Sequence, residues 1–457
     1  MTPLRASFPV RWRVFGAAVA GLLAVTLWLR ATGAPPAPPP PAAAAHSIAL
    51  VPFDNENPDS TLDYLSAGVT ADLASVLGRI RGLRVAANGT VSKADGRDPA
   101  AAGRRLGVGS VLHGGVRQVG DGLRISVHLV SVEGGFDIWS EAYERPAAGL
   151  LGVENEIVAA IVTALRLRGP AGQVVAPPEV ARTTPDAHTA LLQGRFADAV
   201  RLDSAYAPAW AGVAWEGLHR FIGETTAPGD VIPAARTAAE RATALDSTLV
   251  EARIARAVIW LLYDRDTDKA GDELRRAIAL DPNRPGGFHW QSHRFLALGQ
   301  LDSSLAAARR AIEASPLAPS LRAHLAWHYL LAREDSLADR VFAQALALDS
   351  TIGMSDEHFA WRPVRPADPV AVYDTLEGVA KARYVSPYSL AVAAAAAGQT
   401  GPALAALSRA IDERSPAVPY AALDPRLDTL RRSRRFEALL ARLHQATIPT
   451  RTKPPVP

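Results

Sequence analysis

Two histidines stand four residues apart in GFHWQSH (residues 287–293), and a second pair, His324 and His328, repeats that spacing further along the chain. Side chains four apart share one face of a helix, which is how a pair of imidazoles grips a zinc ion. Neither pair carries the carboxylate of a His-Glu-x-x-His helix. His324 also falls one position later in its stretch of the chain than His289 does in its own, a rotation of about 100° on a helix. The two pairs are therefore expected not to converge on one ion. No metal is assigned, and the histidines are expected to be groove-facing recognition residues or ordinary residues of a helix surface.

Composition removes other chemistry. The 457 residues include no cysteine, which excludes disulfides, thiolate catalysis, iron–sulfur clusters and cysteine zinc sites together. No Gly-x-Ser-x-Gly elbow and no Gly-Lys-Ser/Thr phosphate loop occurs, so no catalytic and no cofactor-binding residue is assigned. The 49 basic residues are balanced by 46 acidic ones, a net charge of +3, and no window concentrates Lys and Arg among aromatics. No nucleic-acid partner is expected on that basis.

The elements that must position the histidines follow from the pattern of the chain. Residues 1–13 read as a cytoplasmic tail and 14–32 as a transmembrane anchor. The apolar run VFGAAVAGLLAVTLWL follows Arg5, Arg11 and Arg13 and ends at Arg30. Sixteen helical residues rise about 24 Å, slightly short of a hydrocarbon core of about 30 Å, and Trp12, Trp28 and the arginines extend the reach into the interfaces. The arginine bias keeps the amino terminus inside the cell. The expectation is a single-pass protein of a bacterial inner membrane with its bulk in the periplasm. Residues 33–46 are a Pro/Ala-rich linker that stands the folded part off the bilayer.

From Ser47 to about residue 168, short β-rich runs alternate with amphipathic helices. SIALVPF and LRVAA read as strands flanking a helix over 61–81, and three runs separated by GDG and EGG turns read as an antiparallel meander. A helix near 149–167 closes a mixed α/β unit. IALVPFDN, then DYLSAGVTADLASVLGRIRGLRVAA, then RRLGVGSVLHGGVRQVGDGLRISVHLVSVEGGFDIWSEAYER, resemble in order and spacing the TolB amino-terminal-like domain of bacterial proteins. That resemblance implies interaction in place of catalysis, and a setting in which such domains precede tetratricopeptide repeats and join signalling modules.

After a linker over 169–185 the chain becomes periodic. RLDSAYAPAW, ALDSTLVEAR, ALDPNRPGGF, EASPLAPSLR and ALDSTIG recur, with Asp203, Asp246, Asp281, Ser315 and Asp349 separated by 43, 35, 34 and 34 residues. Thirty-four is the period of the tetratricopeptide (TPR) repeat, a pair of antiparallel helices. Repeats are expected over 186–350, with an extended turn over 223–233 absorbing the long first interval. Degenerate and C-terminal TPR-like helices with a cap are expected over 351–446, and a tail over 447–457. The ending YAALDPRLDTLRRSRRFEALLARL resembles the terminal helix of such fused proteins.

The fold class is thus α+β multidomain: a small mixed α/β unit, then an all-α TPR solenoid, with one N-terminal transmembrane helix. In TPR proteins the concave surface is built by alternating positions of each first helix. That places Trp215, Glu251, Ile254, His289, His293 and Trp327 in a groove suited to a protein partner or an extended peptide. The expected function is a non-enzymatic scaffold, with a periplasmic sensory or regulatory subunit as the alternative and a hydrolase as a third reading. Partner identity and oligomeric state are not legible.

Overall fold

A computed structural model describes residues 46–80, 82–86, 93–146, 149–166, 183–352 and 368–445. The expected tail, membrane anchor and most of the spacer at 1–45, most of the linker at 167–182, and the last residues from 446 lie outside that set. No helix among the described residues is long and apolar enough to cross a membrane.

The α/β unit is built on strands β1 (Ser47–Leu50), β2 (Asp54–Asn55), β3 (Arg84–Val85), β4 (Ser110–Val119), β5 (Gly122–Ser131) and β6 (Asp137–Pro146). Their order is β3-β1-β4-β5-β6, with β2 continuing alongside β4 beyond the end of β1. The first three strands pair in parallel and β4-β5-β6 form the antiparallel meander. In β5 the apolar Leu123, Ile125, Val127 and Leu129 are buried while Arg124 is exposed, the alternation of a sheet solvated on one face. Helices α1 (Asp63–Gly78) and α3 (Leu150–Ala164) cover that buried face, with Leu73, Leu77 and Ile157 at its centre. Helix α2 (Pro99–Leu106) packs on the other face against Ala49, Val51, Val111 and Val132. Gly114 is required where β4 passes under Phe53: a Cβ there would lie 2.1 Å from the Ser126 carbonyl oxygen and 2.7 Å from the Phe53 ring.

Helices then run in antiparallel pairs: α4 (Pro185–Leu192) with α5 (Phe196–Leu202), α6 (Ala207–Ile222) with α7 (Pro228–Leu245), and α8 (Val250–Val258) with α9 (Thr267–Leu280). Then follow α10 (Pro285–Ala297) with α11 (Leu301–Ala314) and α12 (Pro319–Leu331) with α13 (Asp335–Leu348). This is the TPR-like architecture expected from the period.

The recurring ALD motif has a local cause. The carboxylates of Asp203, Asp246, Asp281 and Asp349 each accept the backbone N–H two residues on, at 2.9, 2.8, 3.0 and 2.8 Å, turning the chain out of one second helix. Proline in the first turn of α6, α10 and α12 then starts the next pair, where its missing N–H costs nothing. The 43-residue interval has a different origin from the expected extended turn: α6 and α7 are 16 and 18 residues long, and α7 already begins at Pro228 and contains Pro233. Helix α8 widens into a π-helical segment, Ile259–Asp264, before Arg265 reverses the chain at φ 61°.

The C-terminal part adds α14 (Pro369–Ala380), α15 (Pro387–Ala396) and α16 (Thr400–Asp412). The expected terminal helix starting near Tyr420 does not form. Pro419 and Pro425 break the segment into two 3₁₀ turns, Val418–Tyr420 and Pro425–Leu430, and α17 begins only at Arg434.

Candidate recognition site on the first helices

His289, Trp290 and His293 come from α10, and His324, Trp327 and His328 from α12. They meet. His293 Nε2 lies 3.2 Å from His324 Nδ1, and the His289 ring centroid is 4.7 Å from that of His293 and 4.4 Å from that of His324. The expectation that the two pairs diverge is therefore corrected. Neighbouring first helices touch about one turn out of phase with the repeat, so His293 contacts a residue 31 positions on, while its counterpart 34 positions on, Trp327, stacks on it at 5.7 Å.

Several polar atoms of this cluster are used internally, while His328 Nε2 is buried without a hydrogen-bond partner among the described residues. Ser304, fully buried on α11, donates to the Ser292 carbonyl at 2.9 Å, so the 2.7 Å contact to His328 Nδ1 is an imidazole N–H donating to the Ser304 hydroxyl oxygen. Burial lowers the His328 pKa to about 3, keeping its ring neutral. Nitrogen atoms of His289, His293 and His324 lie within 4.8 Å of one another, near enough to share an ion. Both nitrogens of His293 are nevertheless engaged, one by His324 and the other by the Tyr420 hydroxyl at 3.1 Å.

Tyr420 is the residue that composition and period did not single out. It reaches in from the short turn Val418–Tyr420, is 1% exposed, and packs edge-on against Trp327 with centroids 5.0 Å apart. Burial raises its hydroxyl pKa. Tyr420 belongs to the apolar core of the repeats, whereas Val418 and Ala421 on either side belong to a separate C-terminal core with Leu407 and Phe436. A single aromatic side chain is thus inserted from one core into the other.

Flanking contacts hold the C-terminal part over the ends of the first helices. Buried Arg265 donates to the Ile411 carbonyl at 2.7 Å, and Ser389 donates to Glu224 at 2.9 Å. The Arg414 guanidinium lies over the Tyr263 ring at 4.8 Å and 3.6 Å from Asp264. Arg333 forks onto Asp428 at the far end.

The six residues expected in the groove divide into two groups. His289, His293 and Trp327 join the cluster around Tyr420, and His293 and Trp327 are buried there at 1% and 3% exposure. Trp215, Glu251 and Ile254 lie apart from it. Trp215 donates its indole N–H to the Glu251 carbonyl at 3.2 Å, the Glu251 carboxylate pairs with Arg284, and Ile254 is buried. Ile254, His293 and Trp327 are therefore not open groove residues. Sequence reasoning missed Tyr420 and Ser304; the helix-breaking Pro419 and Pro425 were the available sign that the segment around Tyr420 is not a helix.

No protein-family model matches the chain. A curated protein described as putative adenylate cyclase 3 of Rhizobium meliloti (strain 1021) is 32% identical over 153 residues, which is 33% of this chain and 26% of that protein. The chain thus spans about a quarter of that relative's length. Among solved structures, MamA is similar at 17% identity over 38% of this chain and 98% of its own, with a TM-score of 0.28. TolB from Acinetobacter baumannii is similar at 21% identity over 26% of this chain and 28% of its own, with a TM-score of 0.20.

Proposed function

We propose that the protein is a non-enzymatic scaffold that recognises a protein partner through the first helices of its repeats, held at the inner membrane by residues 14–32. The observation that carries this reading is the seating of Tyr420. A short, proline-containing turn delivers one aromatic side chain into a slot of His293 and Trp327, with a hydrogen bond between its hydroxyl and His293 at its end. That is the chemistry by which a repeat groove takes an extended peptide: an aromatic anchor in a dry pocket, fixed by a polar contact. Here the anchor is supplied by the chain itself, so an external ligand must carry an aromatic residue able to displace Tyr420.

The test is a crosslinking pull-down from native membranes with three full-length proteins checked by circular dichroism: wild type, Tyr420→Ala, and a His289→Ala/Trp327→Ala variant. Enrichment of one envelope protein by Tyr420→Ala and its loss from the double variant would support the reading. An unchanged set across all three would move recognition away from this face, and no specific partner in any would remove the scaffold function.

The sensory or regulatory alternative is favoured by one separate observation, the partial similarity to a putative adenylate cyclase. In that case occupancy of the same slot would be the signal, relayed to a separate output protein.

A further inference from the structure

Beside the central histidines, the described residues hold two more groups whose ligand atoms lie within 4.8 Å of one another. On the sheet, half-buried His113 stacks on His128 at 5.0 Å, and His128 Nδ1 is 3.0 Å from the exposed Asp137, so His128 is already paired. The third group differs in kind. Asp72 on α1, Glu154 on α3 and His188 on α4 meet where the α/β unit packs against the first helical pair. Glu154 is 0% exposed and His188 is 2% exposed. His188 Nε2 stands 3.5 Å from Asp72 Oδ2 and 3.9 Å from Glu154 Oε1, and neither distance is a hydrogen bond.

Four polar atoms in this group, Asp72 Oδ2, both Glu154 carboxylate oxygens and His188 Nε2, are buried with no hydrogen-bond partner. Leaving even one such atom without a partner in the interior is costly, and here one atom from each of the three residues lies within 4.8 Å of the others, which calls for a common explanation. The other nitrogen of the histidine supplies part of it. His188 Nδ1 lies 3.1 Å from the Tyr206 hydroxyl, and Tyr206 is itself buried. When Nδ1–H donates to that oxygen, the lone pair of Nε2 points between the two carboxylates, as in a metal-ligating histidine whose outer nitrogen is held by a second residue.

We propose that Asp72, Glu154 and His188 form a divalent transition-metal site, with Zn²⁺ the best-fitting ion, that ties the α/β unit to the first helical pair. Two carboxylate oxygens and one imidazole are a zinc donor set, and tetrahedral bonds of about 2.1 Å separate ligand atoms by about 3.4 Å. The observed 3.5 and 3.9 Å lie near that spacing. A water completes the set. Entry is provided by a cleft of about 90 Å³ that Asp72 and Tyr206 line together with Val76, Asp246 and Arg284. The alternative state, a metal-free site, demands a protonated Glu154, whose carboxyl burial and the nearby Asp72 hold well above the usual range.

The test uses the full-length chain stripped with chelator and then dialysed against Zn²⁺, with bound metal measured by elemental analysis. The wild type is expected to retain one Zn²⁺ per chain, with a thermal midpoint that rises with the logarithm of free Zn²⁺. Glu154→Gln and His188→Gln should lose the ion and the shift. Asp72→Asn, at the partly exposed edge, should weaken binding at least tenfold and serves as the variant least exposed to misfolding. His289→Gln/His324→Gln should keep it. Binding that survives Glu154→Gln, binding lost only in the His289/His324 variant, or no binding by the wild type would each overturn the site. Loss of binding in Glu154→Gln or His188→Gln leaves the Tyr420 slot untouched, so the two proposals fail separately.

Discussion

The centre of the repeats and the junction with the α/β unit both bury histidine, yet only at the junction do partnerless carboxylate oxygens face it. At the centre most ring nitrogens engage a neighbour: His293 bridges Tyr420 and His324, and His328 leans on Ser304 through Nδ1 while its Nε2 stays without a partner among the described residues. At the junction Glu154 has no hydrogen-bond partner, and Asp72 Oδ2 and His188 Nε2 stand opposite it without one. A closed network stabilises packing and specifies which side chain fits. An open one of mixed charge is stable only when something occupies it or protons neutralise it. The comparison teaches that histidine spacing alone does not separate a packing cluster from a ligand site; the state of the remaining polar atoms does.

Changes at the centre should have the largest effect. Tyr420→Ala removes a fully buried aromatic side chain and should cost about 3–5 kcal/mol in urea unfolding. Tyr420→Phe, which removes only the hydroxyl facing His293, should cost about 1 kcal/mol. If the two variants were equally damaging, the hydrogen bond, and not the aromatic slot, would dominate.

Next comes the clasp. Arg265→Ala leaves the Ile411 carbonyl without its charged donor and should destabilise by about 1.5–3 kcal/mol. Hydrogen exchange should then speed up across α15 and the Tyr420 turn before it does so in α10 and α12. Uniform acceleration would mean that the C-terminal part does not undock on its own.

The two regions should also answer pH with opposite signs. In metal-free protein, burial raises Asp72 to about 7 and raises Glu154, so the fold binds protons that the unfolded chain has released. Stability from these groups is full below their unfolded values and is lost as pH rises through the folded ones. His188, lowered to about 4, opposes this only below pH 6.5, where the unfolded ring becomes charged. Wild type should therefore lose stability relative to Glu154→Gln as pH rises from 5 to 8. At the centre, His328 stays neutral in the fold, so its contribution is present above pH 6.5 and lost as pH falls toward 3. Saturating Zn²⁺ should reverse the slope at the junction, because deprotonated ligands bind the ion better. Urea midpoints measured across this range, with and without Zn²⁺, check both signs.

The smallest effect belongs to Arg333 and Asp428. Their fork is well formed but nearly half exposed, so Arg333→Ala should change stability by less than about 1 kcal/mol. A larger loss would mean that this pair, and not Arg265, anchors the C-terminal part.

Much of the architecture was legible because it rests on local rules. The 34-residue interval, the Asp turns and the prolines opening each first helix are written in single short stretches, and so is the alternation in β5. What lay beyond reach depends on contacts between distant segments. His293 meets Tyr420 across 127 positions, and His188 meets Asp72 across more than a hundred. No period relates either pair. The solenoid phase that brings His324 onto the helix face carrying His289 and His293 is not legible, because rotation within one helix says nothing of the offset between two. Nothing local in SPAVPYAALDP announces that this turn would place Tyr420 against the first helices.

The most direct measurement of the central claim is a binding titration of full-length Tyr420→Ala, confirmed folded by circular dichroism, with a fluorescein-labelled peptide copying residues 413–424. Saturable binding is predicted, lost when the peptide tyrosine is replaced by alanine and lost when Trp327→Ala is added to the protein. Equal anisotropy changes for the tyrosine and alanine peptides, or none for either, would contradict a slot that recognises an aromatic anchor.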